Sequence, residues 1–398
     1  MPESAREDES LASCRPAPIG MTPHSHRCPC CRPVCDSTRD DVCACTDPGC
    51  HHSTTSKDTT MSVAQDVDHG DASMRALVQH EFGDPAVVLT TEERPLPEPG
   101  PGQVRVRMLL SPIHNHDLWT ARGDYGVTPD LPAQAGTEAV GLIDALGDGV
   151  DRLAIGQRVV SGSAFGVWAE YFVARASDVI AVPDELPDEV AAQLVSMPFS
   201  AIGLLHSLDL AEGDWIIQNA ANGAVGRMIA QLGAARGLNV IGLVRRAAGV
   251  DELRQQGIDN IVTTDASDWR QQVADIAGDN PIRVGIESVG GRAAGDLLSQ
   301  LAVNGTLVVF GAMASPTLEI SSGDVIFKQA VVKGFWGNVV SREMPREIKR
   351  TLFGELIGRA IDGTLTLPVA GVHGLDDFDA AVAASLEPGR IGKVLLSS

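Results

Sequence analysis

Cysteine is confined to one end of this 398-residue chain: all eight lie between Cys14 and Cys50, and residues 51–398 contain none. That distribution excludes a four-cysteine zinc lobe or a disulfide framework from most of the sequence. Aromatic residues make up 4%, with only two tyrosines, Tyr125 and Tyr171, so a phenolic proton donor has two candidates. Long apolar runs are missing as well; nothing approaches the roughly 18 residues of a membrane-spanning helix. The N-terminus lacks the charged-then-apolar layout of a secretion signal, which predicts a cytoplasmic protein without a membrane partner. Positive charge is in short supply. Thirty-one Lys and Arg against 52 Asp and Glu leave a net charge of −21, which argues against nucleic acid as a partner, because that affinity rests on cations neutralising phosphates.

The cysteines belong to a stretch, residues 1–73, and His24, His26, His51 and His52 lie among them. Thiolates and imidazoles are zinc ligands, but Cys28-Pro29-Cys30-Cys31 and Cys43-Ala44-Cys45 are too compressed for two separated Cys-x-x-Cys pairs. The surrounding Pro, Ser, Thr, Asp and Gly supply almost no apolar surface, so a disordered extension is expected. Met61 and Met74 offer later starts, and Met74 to Val78 reads as the first strand of a folded domain.

What the sequence does have is a strand-turn-helix-strand unit from Gly213 to Arg246. Trp215-Ile216-Ile217 is a short apolar strand, Gln218 to Gly226 a tight turn, and Arg227 to Ala235 a helix whose Met228, Ile229 and Leu232 can face a sheet. Asn222, Gly223, Ala224, Val225 and Gly226 form the end of a dinucleotide fingerprint, with Ala221 in place of its first glycine. The glycines admit a pyrophosphate and close helix packing, and the helix start offers free N–H groups to the anion. The next strand ends in Val244-Arg245-Arg246 about 20 residues on. Arg245 or Arg246 there, in place of an acidic residue, suits the 2′-phosphate of NADP and points to NADPH as the cofactor.

The flanking sequence is organised around that unit. From Met74 to about Asp151 it reads as short strands with glycine corners, such as Gln103 to Leu109 with Val104, Val106 and Met108 on one face. After Arg246, strand and helix patterns alternate. Ile261–Thr264, Arg283–Glu287, Gly305–Gly311 and Val331–Trp336 are strands, and Trp269–Ile276 and Ala293–Leu301 are helices. Nearly continuous apolar strands in such a rhythm imply a parallel sheet covered on both faces. Met344 to Ile361 reads as a further helix, and Gly389 to Leu396 as a last strand.

Several short segments together resemble the medium-chain dehydrogenase/reductase family, in its zinc-independent branch of 2-enoyl thioester reductases and quinone oxidoreductases. They are Gly123-Asp124-Tyr125-Gly126, Gly136-Thr137-Glu138, Gln218 to Gly226, Ser288-Val289-Gly290-Gly291, Ile326-Phe327-Lys328 and Gly334-Phe335-Trp336. The resemblance spans residues 74–398. It implies an α/β protein: a GroES-like, β-rich substrate domain (74–198 and 341–398) into which a doubly wound Rossmann domain (199–340) is inserted, usually as a homodimer.

By the same resemblance, Tyr125 stands where enoyl thioester reductases carry their catalytic tyrosine, and Phe327, Lys328 and Lys393 follow the pattern of cofactor contacts. Zinc-dependent members carry metal ligands at the positions held here by His114 and Thr137, so no metal is expected. A metal-dependent alcohol dehydrogenase using the His114 region remains an alternative. Reduction of a polarised C=C bond or a quinone is the chemistry left, with a proton donor at the developing enolate oxygen. Tyr125 is the first candidate and His114 the second. Where the reductases have Asn-Pro-x-Asp, this chain has His114-Asn115-His116-Asp117, which places His116 in the substrate pocket beside Trp119 and Trp336. The substrate is expected to be an enoyl thioester, an enone or a quinone. Arg346, Lys349 and Arg350, on a helix that Pro345 opens, are available to an anionic acyl carrier or to solvent alone. A non-catalytic NADPH-binding protein is the remaining alternative.

Overall fold

In the computed structural model, residues 72–162 and 164–398 are described; the expected disordered extension, apart from its last two residues, lies outside the described residues. The first domain contains β1 (Ser73–Gln79), β2 (Leu89–Pro95), β3 (Gln103–Pro112), β4 (Ala133–Gln134), β5 (Ala139–Leu146), β6 (Arg158–Ser161), β7 (Tyr171–Arg175) and β8 (Val179–Ala181). Strands β2, β1 and β4 form a three-stranded antiparallel sheet. The long β3 is the spine of a second sheet, pairing with both β5 and β7. Its alternation is the cause: Val104, Val106 and Met108 are fully buried and share one core with Trp168, Phe172 and Phe378.

The second domain carries β9 (Trp215–Gln218), β10 (Asn239–Val244), β11 (Ile261–Thr263), β12 (Ile282–Glu287), β13 (Thr306–Val309) and β14 (Val331–Gly334). All six are parallel, in the order β11-β10-β9-β12-β13-β14. This is the doubly wound arrangement, whose switch point falls between β9 and β12, and ligands bind beyond the carboxyl ends of the strands there. Strand β9 is apolar and nearly fully buried because helices cover both faces of the sheet.

The helix after β9 spans Ala224–Ala235, starting three residues earlier than the apolar pattern indicates. Gly226 therefore lies in its first turn. A Cβ at that position would stand 2.7 Å from the Ala220 carbonyl oxygen and 2.8 Å from Ala221 Cα, so only glycine lets the helix sit this close to the turn. The helix expected over 344–361 runs from Arg346 to Ile361. Gly337–Glu343 and Arg346–Ile361 are separate helices, parted at Met344-Pro345, since proline opens a helix but does not continue one.

Leu352 and Leu356 of the second of these helices share a core with Ile216 and Ile229, and Arg236 donates two hydrogen bonds to Glu355. The chain then continues into β15 (Val369–Gly374) and β16 (Lys393–Ser397). Strand β16 pairs with β3 and completes the sheet β15-β16-β3-β5-β6-β8. Among the described residues no helix is long and apolar enough to cross a membrane.

Candidate active site

Strand β3 ends at Pro112, and the Ile113 N–H is held by the Val394 carbonyl of β16 at 3.0 Å. That anchor sets the start of the helix Asn115–Arg122. Asp117, in its first turn, accepts from the backbone N–H of His114 at 2.9 Å, an acidic side chain satisfying the helix entry. The helix stops at Gly123, whose φ of 82° is left-handed and whose N–H turns back to Thr120. The reversal brings Tyr125 back alongside the helix start, where its ring stacks on His116 with centroids 5.7 Å apart. His116 in turn stacks on His114 at 4.9 Å. The three rings form one column.

The inner end of the column is closed. His114 is 1% exposed and Glu138 fully buried, and His114 Nε2 lies 2.6 Å from Glu138 Oε2. The other carboxylate oxygen accepts from the Val195 and Ser196 N–H groups, at the head of the helix Met197–His206 that leads into the second domain. Burial disfavours charge on both partners. Desolvation holds the His114 imidazolium well below its ordinary range, helped by the nearby Lys393. Desolvation also pushes the Glu138 carboxyl up to about 7 against its backbone hydrogen bonds.

Because His114 Nδ1 is buried without a partner, this residue offers no polar atom to a substrate. His114, expected from the sequence as a second catalytic candidate, is the inner member of the column, and His116 is the one beside Tyr125. The reason is Glu138, 24 residues away in sequence, which draws the His114 ring inward.

Lys393 is also part of this inner cluster. It is 9% exposed, its Nζ reaches the Ile113 carbonyl at 3.4 Å, and burial, with Arg390 adding repulsion, pushes its ammonium down to about 8. It stands with the His114 pair rather than at the phosphate turn. Lys328 is farther still from its expected place. Its Nζ binds the carbonyls of Ser299 (2.7 Å) and Leu298 (3.4 Å) and Asp324 (3.2 Å), just ahead of β14. Residues that precede a parallel strand lie at the sheet edge opposite the carboxyl ends, so neither Lys328 nor the 82% exposed Phe327 is brought to the nucleotide edge.

At that edge, Asn222, Gly223 and Ala224 are exposed at the head of the helix Ala224–Ala235, where the first N–H groups have no intrahelical partners. Arg245 and Arg246 are exposed directly after β10. The following loop returns to the turn: a Cβ on Gly249 would be 3.6 Å from Asn222 Nδ2. These residues fit a phosphorylated dinucleotide, with free N–H groups for its pyrophosphate and guanidinium groups for a further phosphate.

The switch point has a brace that the sequence reading missed. Glu287, fully buried, accepts through one oxygen from Asn219 Nδ2 (3.0 Å) and from the Val289 and Gly290 N–H groups (2.7 Å each). Asn219 Oδ1 accepts from Ser288 N–H at 2.8 Å. The available signal was a lone carboxylate at the end of the apolar strand Ile282–Glu287.

The two halves of the site face each other. Asn115 Nδ2 lies 3.8 Å from Met313 Sδ, in the loop beyond β13. Trp336, 47% exposed, lies beside Gly126, 3.6 Å from where a Cβ there would stand. Trp119 is half-buried on the same helix as His116. Among the described residues no group of three His, Cys, Asp or Glu side chains is arranged to hold a metal ion.

Comparisons with known proteins identify the family. Residues 100–184 match the alcohol dehydrogenase GroES-like domain, and residues 224–352 the zinc-binding dehydrogenase domain. The chain is 33% identical over 333 residues to the human mitochondrial enoyl-[acyl-carrier-protein] reductase, covering 82% of this chain and 89% of that one. A solved mycobacterial quinone oxidoreductase is 27% identical with a TM-score of 0.70, over 82% of this chain and 100% of that one. A mycobacterial structure complexed with NADPH is also 27% identical, with a TM-score of 0.73 and the same coverage.

Proposed function

We propose a function from the premise that this chain belongs to the medium-chain dehydrogenase/reductase superfamily, in its zinc-independent branch. It is an NADPH-dependent reductase of α,β-unsaturated carbonyl compounds, most like a 2-enoyl thioester reductase. The cofactor, when bound, supplies the hydride. The chain's residues hold the cofactor, orient the substrate and manage the proton. The Asn222–Gly226 turn and helix head receive the pyrophosphate, and Arg245 with Arg246 receives the 2′-phosphate. The Tyr125 hydroxyl donates to the carbonyl oxygen as negative charge develops there. Trp119 and Trp336 line the substrate side.

The observation that carries this reading is the Tyr125-His116-His114 column, set across from the carboxyl edge of the nucleotide sheet. Its test is NADPH oxidation with a short 2-enoyl-CoA and, separately, a simple quinone. Turnover of the enoyl-CoA supports the reading, whereas turnover of the quinone alone removes it. Quinone reduction is the second reading, favoured by the likeness to the mycobacterial quinone oxidoreductase.

A homodimer belongs to the proposal as well. Strand β14 ends its sheet with all four residues exposed, and unpaired edges of this kind invite strand pairing. The human relative is named as mitochondrial, so the cytoplasmic location expected from the sequence is a proposal that fractionation of expressing cells tests.

A further inference from the structure

We propose that His116 is the proton donor of the reduction, with its Nε2–H held by Thr137 and Asp117 and its Nδ1 the atom that delivers a proton to the substrate's α-carbon. The inference rests on the enoyl-reductase reading and goes beyond it by naming a residue, a ring nitrogen and the groups that fix it.

Hydrogen-bond capacity determines the assignment. Asp117 is buried, and its Oδ2 is occupied by the His114 N–H. Its Oδ1 accepts the Thr137 hydroxyl at 2.7 Å. A hydroxyl has one hydrogen, so Thr137 Oγ1 has only lone pairs left for His116 Nε2, 2.8 Å away. That nitrogen must be the donor. Asp117 Oδ1 is itself 3.5 Å from His116 Nε2, so the N–H points at negative charge. Nδ1 is then the nitrogen free to gain and lose a proton, and the hydrogen bond at one ring nitrogen sets the role of the other. The side chain is 19% exposed, against 1% for His114, and lies between His114 and Tyr125. It is the histidine with access to the cleft.

The step balances. A substrate that has taken a hydride from NADPH at its β-carbon carries the displaced π pair over its α-carbon and carbonyl oxygen, where the Tyr125 hydroxyl holds it. The Nδ1–H bond of the His116 imidazolium breaks with its electron pair remaining on the ring, and the proton forms the new C–H bond at the α-carbon. The neutral imidazole then recovers a proton from water. Thr137 and Asp117 touch no reacting atom; they are positioning residues.

Two measurements test this. With ¹⁵N-labelled histidine, NMR of the protein alone reads the His116 tautomer, its signals identified by their loss in His116→Gln. Hydrogen on Nε2 in wild type and Thr137→Ser, and loss of that fixed form in Thr137→Val, is the expected result. Hydrogen on Nδ1 in neutral wild type, or no change in Thr137→Val, overturns the assignment. In turnover, His116→Gln keeps an amide donor for Thr137 but has no proton to give. It is expected to lower kcat for a 2-enoyl-CoA by about 10²–10⁴-fold with little change in KM. It should also lose the facial selectivity with which deuterium from D₂O enters the α-carbon. An active wild type matched in rate and selectivity by His116→Gln overturns the donor alone. A wild type inactive on enoyl-CoA overturns the enoyl-reductase reading and the donor with it.

Discussion

Replacing Glu138 by glutamine should change how stability depends on pH, and the sign of the change discriminates between two descriptions of the buried pair. In the folded protein desolvation pushes the Glu138 carboxyl from its ordinary 4.5 to about 7. The folded state therefore binds more protons at this site than the unfolded chain between those values. Stability from this group is fully present below about pH 4.5 and is lost as pH rises through about 7. The shift of roughly 2.5 units corresponds to about 3 kcal/mol at 1.36 kcal/mol per unit. Glutamine does not titrate but keeps an oxygen for the Val195 and Ser196 N–H groups.

The assay is urea denaturation of wild type and Glu138→Gln at intervals from pH 5 to pH 8. The wild type should lose stability relative to the variant across that range, by up to about 3 kcal/mol. If it instead gains, Glu138 is held ionised by a charged His114 and the reasoning from burial is wrong. Glu138→Ala, which strands two backbone donors and a ring nitrogen and likewise does not titrate, should cost about 3–5 kcal/mol at pH 5 and less as pH rises toward 8.

Arg245→Ala combined with Arg246→Ala should weaken NADPH binding by about 10- to 100-fold through the loss of charged hydrogen bonds, while NADH binding, measured by fluorescence titration, stays within a few-fold. Gly226→Val drives a side chain into the backbone of Ala220 and Ala221; a loss of about 1–3 kcal/mol together with NADPH affinity is expected, by thermal unfolding with and without cofactor. Val332→Asp on the exposed β14 edge should convert a dimer to monomer in sedimentation velocity, and a wild type already monomeric would remove that proposal.

The parts of this protein legible in its sequence are those governed by local pattern. Trp215 to Gln218 is a buried strand because every residue in it is apolar or close to the turn. The Gly223 and Gly226 spacing reads as a phosphate turn because the chemistry is held within five residues. The break at Met344-Pro345 was half visible, since Pro345 marks the helix start but not the independent helix before it.

The surroundings of the other candidate residues depend on distant partners. Nothing between His114 and His116 says which ring turns inward; Glu138 and the helix head at Val195–Ser196 determine it. Lys328 and Lys393 carry the same charge in sequence, yet one caps the helix ending at Ser299 and the other is buried under the histidine pair. Thr137 gains its importance only from bridging His116 and Asp117.

The central claim is that this chain reduces a polarised C=C bond with Tyr125 at the carbonyl oxygen. It is tested most directly by the ratio of NADPH-dependent rates on a 2-enoyl-CoA and on a quinone, in wild type and Tyr125→Phe. The account predicts that the substitution lowers the enoyl-CoA rate by about 10²-fold or more and leaves the quinone rate, which draws protons from solvent, largely intact. Equal rates on enoyl-CoA for the two proteins, or turnover of the quinone alone, would contradict it.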